Sequence, residues 1–246
     1  MSFWDHLDEL RGSIIKMVVV VVSCAVVAFC FKDVLFDVVL APHKSDFISY
    51  RLMGAEDFSI QLMNTGLTEQ FMIHLRVSLY AGLLIASPYV LYLLFCFVSP
   101  GLYDNERKYA TAIVVSAYLM FIVGTLVNYF IIFPLTVRFL GTYQVSSEVT
   151  NLLTLQSYTD TLISMSLVMG VVFELPVVSW ILGRMGLLHH QVMSRYRRHA
   201  IVVILIVAAV ITPTTDIFTL TAVSLPIWLL YEVSILIVRS TEKSQD

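Results

Sequence analysis

Six apolar stretches, separated by polar segments, take up most of this chain: residues 14–31, 71–98, 109–133, 158–182, 200–211 and 217–238. A helix needs ~20 mostly apolar residues to cross the ~30 Å hydrocarbon core of a bilayer. The expected class is therefore an all-α polytopic membrane protein with six transmembrane helices, the last two short.

Composition narrows this further. Charged residues make up 13% of the chain, about half the ~25% of an average soluble domain. The 246 residues hold six spans and modest loops without room for a further soluble domain, so 1–246 reads as a single membrane domain. A net charge of -3 offers no basic surface for nucleic acid. Cys24, Cys30 and Cys96 lie in apolar runs without CxxC or His spacing. They read as small hydrophobes rather than as a disulfide or a metal site. The amino terminus carries Asp5, Asp8 and Glu9 where a cleavable signal would be basic. With no transit-peptide pattern either, a bacterial cytoplasmic membrane is the expected location.

Cations set the expected orientation, because Lys and Arg favour cytoplasmic loops. Ten of the 15 fall in the amino terminus, loops 99–108 and 183–199, and the tail 239–246. Only Lys32, Lys44, Arg51 and Arg138 fall in loops 32–70, 134–157 and 212–216. Both termini are thus expected in the cytoplasm and the two long loops outside. Arg76 lies just inside the second span, close enough to Glu69 to pair with it or to snorkel. Loop 32–70 has the pattern of short surface helices, and Pro134 is expected to end the third helix. The fifth span, 12 residues from 200 to 211, rises only about 18 Å. It forms either a short hairpin with the sixth or a re-entrant segment, and the tail cations favour the hairpin. No internal repeat is evident.

Few residues could carry chemistry. Residues 1–13 form an amphipathic helix, with Phe3, Leu7 and Leu10 on one face and Asp5, Asp8 and Glu9 on the other. That acidic face is either solvated or binds a cation; an anionic inner leaflet gives it nothing. Asp104 and Glu106 form a second acidic pair on the same side, and two carboxylate clusters can hold two guanidinium groups bidentately. Glu174 sits deep in the fourth span, where an isolated charge costs ~2.5–3.5 kcal/mol. It therefore faces a polar cavity or is protonated, and Pro176 frees the Val172 carbonyl beside it. Glu232 is close enough to the cytoplasmic end to snorkel. His189 and His190 are adjacent, without a clustered acid, and read as a solvated loop pair. No nucleophile, metal or nucleotide motif is present, so neither an enzyme nor a cofactor is expected.

These motifs coincide with a family. Phe3-Trp4-Asp5-His6-Leu7-Asp8-Glu9-Leu10-Arg11 resembles the amino-terminal signature of TatC, the large subunit of the twin-arginine protein translocase. Ser99-Pro100-Gly101-Leu102-Tyr103 with Glu106-Arg107 resembles its first cytoplasmic loop, and Phe173-Glu174-Leu175-Pro176 its fourth-helix motif. Thr212-Pro213 with Asp216 is similar to its last outer turn. The resemblance implies a six-helix, cup-like receptor for signal peptides carrying consecutive arginines. Glu9 and Glu106 would recognise the arginine pair, amid Asp5, His6, Asp8, Arg11, Tyr103 and Asp104. Phe173, Glu174 and Pro176 would lie in the concave face. Thr212, Pro213, Asp216, Thr219 and Glu232 belong to the last two helices, where small single-span TatA/TatB-type subunits dock within a multimeric receptor complex. Two departures stand out: Gly12-Ser13 follow Arg11 where basic residues are usual, and Leu220 stands where the family often has Gln. The rival reading, a proton-coupled small-solute transporter using Glu174, needs a midplane pocket assembled from repeats. It also leaves the cytoplasmic acids unexplained.

Overall fold

The computed structural model describes residues 3–52, 61–98, 110–143, 152–212 and 216–242. Five helical stretches among them are long and apolar enough to cross a membrane: Leu10–Phe29, Glu69–Phe97, Thr111–Thr142, Leu155–Arg184 and Ile217–Glu242. The remaining apolar run forms a helix, α10 (Arg197–Ile211), of 15 residues. At 1.5 Å per residue it rises roughly 22 Å, less than a ~30 Å core.

The chain divides into two compact units, Met1–Phe36 with Phe71–Leu119, and Asp37–Gln70 with Met120–Asp246. In the first unit, α1 (Phe3–Phe29) joins the amphipathic segment and the first apolar run into one helix of 27 residues. Gly12 does not interrupt it, because a glycine penalty of ~1 kcal/mol is small against a run of this length. α1 packs on α4 (Glu69–Val98). A Cβ at Gly82 would stand 2.5 Å from the Ala25 backbone nitrogen, so only glycine permits this backbone approach. Near the same ends, Phe29 stacks on the buried His74 ring at 3.9 Å.

The second unit begins with α2 (Lys32–Leu40), which straddles the division, and α3 (Ile48–Leu52). Strand β1 (Leu62–Met63) pairs in parallel with β2 (Leu153–Thr154). The buried Glu69 carboxylate ties this corner together. Its Oε2 accepts the Gly66 N–H at 2.7 Å, the Thr65 N–H at 3.0 Å and the Thr65 hydroxyl at 3.2 Å, and its Oε1 accepts the Gln156 N–H at 3.2 Å. Hydrogen bonds to an ionised carboxylate are the strong kind, and an acid in the first turn of α4 also suits the helix dipole.

Pro134 does not end the third long helix. After α5 (Ala110–Val127) come one π turn, Asn128–Ile132, and α6 (Phe133–Thr142), with Pro134 in its first turn. Proline cannot donate to the carbonyl four residues back, and its ring crowds that carbonyl. The π turn widens the ladder, with the Phe133 N–H reaching back to Asn128 O. The freed Phe130 carbonyl accepts the hydroxyl of buried Ser49 from α3 at 2.5 Å. Tyr50, 1% exposed, donates to Pro42 O at 2.9 Å and Pro134 O at 3.1 Å. Burial pushes its phenol well above the ordinary range, which keeps it a donor. The expectation failed because the group that rescues the helix comes from a distant loop.

Candidate functional site

The fourth apolar run is two helices, α7 (Leu155–Val172) and α8 (Leu175–Arg184). Pro176 sits in the first turn of α8 and cannot bond the Val172 carbonyl. Across the break the Glu174 N–H falls back to Val171 O at 3.1 Å, and Val178 N–H bonds Glu174 O at 2.9 Å. Glu174 therefore stands at a helix junction, flanked by buried Phe173 and Pro176. Its side chain does not cap α8, and its Oε1 is buried without a hydrogen-bond partner among the described residues.

The residues behind this junction are packed backbone to backbone. A Cβ at Gly124 of α5 would meet Met169 O at 2.5 Å and the Phe173 Cβ at 2.9 Å. Reciprocally, a Cβ at Gly170 would meet the Phe121 ring at 2.6 Å. One turn further, Asn128 donates from Nδ2 to the Ser166 hydroxyl at 2.8 Å, both residues being buried. The Asn128 Oδ1, like Glu174 Oε1, has no partner among the described residues. Sequence reading found Glu174 but missed Asn128, Ser166 and the glycine pair.

A second cluster lies at α10 and α11 (Ile217–Glu242). Asp216 caps α11, its Oδ1 accepting the Thr219 N–H at 2.7 Å in the manner of an N-cap aspartate. Thr219 is fully buried and its hydroxyl has no partner among the described residues. Buried Thr212 returns its hydroxyl to Ala208 O at 3.0 Å, closing the end of α10. Glu232 does not simply snorkel: its Oε2 pairs with Arg197 Nη2 at 2.9 Å, linking α11 to the start of α10. A shallow groove of about 260 Å³ between the two helices is lined by Ile201, Ile204, Leu205, Ser224, Leu225 and Trp228.

Of the two histidines expected to be a solvated loop pair, His189 is exposed but His190 is held by an acid. His190 starts α9 (His190–Arg195); its backbone N–H donates to Glu242 Oε1 at 3.0 Å and its ring pairs with Glu242 Oε2. Glu242, 52 residues away, gave no local signal. Tyr231 adds a hydrogen bond to Met193 O at 2.8 Å, pinning α9 onto α11.

Asp5, His6, Asp8, Glu9 and Arg11 all lie in the first turns of α1, with the Asp8 and Arg11 side chains exposed. Tyr103, Asp104, Glu106 and Pro213 lie outside the described residues.

Comparison with known proteins identifies the arrangement. The model of the family described as Sec-independent protein translocase protein (TatC) matches residues 5–226. A TatC protein of Desulforapulum autotrophicum is 34% identical over 244 residues, covering 99% of this chain and 86% of that protein. One from Blattabacterium is 32% identical over 252 residues, covering 96% of this chain and 94% of the other. Among solved structures, a crystal structure of the twin-arginine translocase receptor TatC superposes with a TM-score of 0.81 at 29% identity, covering 96% of this chain and 99% of that one. With these relatives and five long apolar helices, the chain is a multi-pass membrane protein, and it belongs to the TatC family of Sec-independent protein translocase proteins.

Proposed function

We propose that this protein is the receptor core of a twin-arginine translocase in a bacterial cytoplasmic membrane, with both termini in the cytoplasm. The likeness to a twin-arginine translocase receptor along 96% of the chain carries this reading. Glu9 and Glu106 recognise the paired arginines of a signal peptide, helped by Asp5, Asp8 and Asp104 and flanked by His6, Arg11 and Tyr103. A carboxylate takes a guanidinium fork through two parallel hydrogen bonds, which an ammonium cannot make. The purified full-length protein should therefore retain a twin-arginine signal peptide on a column and release the same peptide with paired lysines. Equal retention of both peptides would end the assignment.

Small single-span TatA/TatB-type subunits dock on α10 and α11. Val202, Val203, Ile206 and Val210 of α10 are exposed and form an apolar face for a partner helix. A short α10 crosses only where the bilayer thins, which eases entry of a partner helix. In a chain with Cys24, Cys30 and Cys96 removed, Asp216→Cys should be labelled from outside and Arg198→Cys from inside. Labelling of both from the inside would make α10 re-entrant.

Glu174, at the junction of α7 and α8, supplies a hydrogen bond to a partner or signal helix. Glutamine keeps an acceptor and a donor in the same volume, whereas alanine keeps neither. Glu174→Gln should therefore retain most transport, and Glu174→Ala should impair transport without unfolding the protein. An interhelical hydrogen bond in lipid is worth only ~0.6–2 kcal/mol. If Gln abolished transport while complexes still assembled, a titrating group and the proton-coupled transporter would become the better account.

A further inference from the structure

Where α10 begins and α11 ends, cations outnumber the acids that could neutralise them. Both acids of this end are already engaged: Glu232 pairs with Arg197 at 2.9 Å, and Glu242 holds the His190 ring and backbone. Arg198, in the first turn of α10, and Arg239, in the last turn of α11, are exposed. Neither has an acidic partner among the described residues.

The helix repeat puts both arginines beside the α10–α11 groove. At 100° per residue, Arg198, Ile201 and Leu205 fall within about 60° on α10, and Trp228, Glu232 and Arg239 within about 40° on α11. Ile201, Leu205 and Trp228 line the groove of about 260 Å³, and with Leu225 they are half exposed, at 40–53%. The Arg197–Glu232 pair lies one turn beyond Ile201 and Trp228 and marks the end of the groove. Helical side chains lean toward the helix amino terminus. On these oppositely running helices Arg198 leans out past that pair and Arg239 leans back toward it, so both guanidiniums are directed to one level just beyond the groove.

The size of the groove decides what fills it. It covers residues 201–205 of α10 and 224–228 of α11, about 6 Å of rise on each. A packed helix is ~10 Å across and interdigitates over several turns, so a notch one turn long suits a single hydrocarbon chain. From Arg198 to Leu205 the rise is about 10 Å, within one leaflet of ~15 Å, half of a ~30 Å core. The surface proposed for small subunits lies elsewhere: Ile206 is turned about 100° from Leu205.

We propose that this groove seats one acyl chain of an anionic phospholipid, with its phosphate between Arg198 and Arg239. In the topology proposed above the lipid belongs to the cytoplasmic leaflet. The site itself depends only on α10 and α11, so it stands or falls separately from the receptor assignment.

Native mass spectrometry of the delipidated full-length protein, titrated with phosphatidylglycerol or phosphatidylcholine, tests this. The wild-type protein should hold one phosphatidylglycerol in preference to phosphatidylcholine. Arg198→Gln and Arg239→Gln should each weaken phosphatidylglycerol about fivefold, the worth of one cation near an anionic headgroup, and the double variant should lose the preference. Leu205→Trp, which fills the groove, should displace both lipids. Val233→Trp is the control: it is exposed and turned about 140° from Trp228 on the same helix, so both lipids should still bind. Inorganic phosphate without a chain should not compete. Unchanged phosphatidylglycerol binding in the double arginine variant would overturn the proposal, and so would unchanged binding in Leu205→Trp or competition by phosphate alone. Loss of a single-span subunit from Leu205→Trp while the lipid stays bound would make the groove a helix seat and overturn it too.

Discussion

Glu9→Ala and Glu106→Ala should each weaken binding of a twin-arginine signal peptide roughly 30-fold or more, as read by titration of the purified receptor. Removing one partner of a desolvated charge pair typically costs about 2–5 kcal/mol, much of it the penalty of leaving the other charge unmatched. Glu9 stands in the second turn of a helix that continues without interruption to Phe29. The backbone at Glu9 is thus continuous with the helix that enters the membrane. Glu106→Gln separates charge from shape: the amide preserves length and one acceptor but cannot form the ionic fork. It should fall closer to alanine than to the wild type. Affinity unchanged in all three variants would return both acids to a merely solvated face.

Gly124→Ala should be the most damaging single-methyl addition in the second unit, lowering stability by about 1–3 kcal/mol, the usual range for overpacking. The added carbon would stand 2.5 Å from the Met169 carbonyl oxygen, which belongs to the α7 backbone and cannot rotate away. Gly170→Ala should cost less, because its 2.6 Å clash is with the Phe121 ring, a side chain that can turn. Gly12→Ala is the control: nothing lies within 4 Å of the added carbon, so better helix propensity should leave stability equal or higher by about 0.5–1 kcal/mol. Thermal unfolding of the three variants in one detergent gives the order directly. If Gly124→Ala melts with the wild type, the tight α5–α7 contact behind Glu174 is not what the geometry implies. Because Phe173 is the side chain struck at 2.9 Å, the same substitution should also disturb transport before it abolishes folding.

The membrane class and the family were legible because they rest on local signals. Apolar runs near twenty residues can be read without knowing what they touch, and Glu174 announces itself as a carboxylate inside one of them. The break at Pro176 was half visible: the sequence indicated a freed carbonyl at Val172, but not that the run divides into α7 and α8. Pro134 misled because proline's rule is local and its remedy is not. Likewise the Glu242–His190 pair spans 52 residues and Glu69–Gln156 spans 87, so neither leaves a pattern within a window. Asn128 and Ser166 read as ordinary polar residues of apolar helices; only their meeting at 2.8 Å gives them a role.

The Ser49–Phe130 hydrogen bond bridges 81 residues, and this sets an order for biogenesis. Ser49 leaves the ribosome well before Phe130, so α3 must wait at the membrane surface, its hydroxyl hydrated, until the proline-bearing helix has been inserted. Between insertion of that helix and the docking of α3, the Phe130 carbonyl lacks the donor that completes it. Docking of the loop is therefore a late checkpoint in maturation: a chain that has threaded its helices but not yet seated α3 is inserted without being finished.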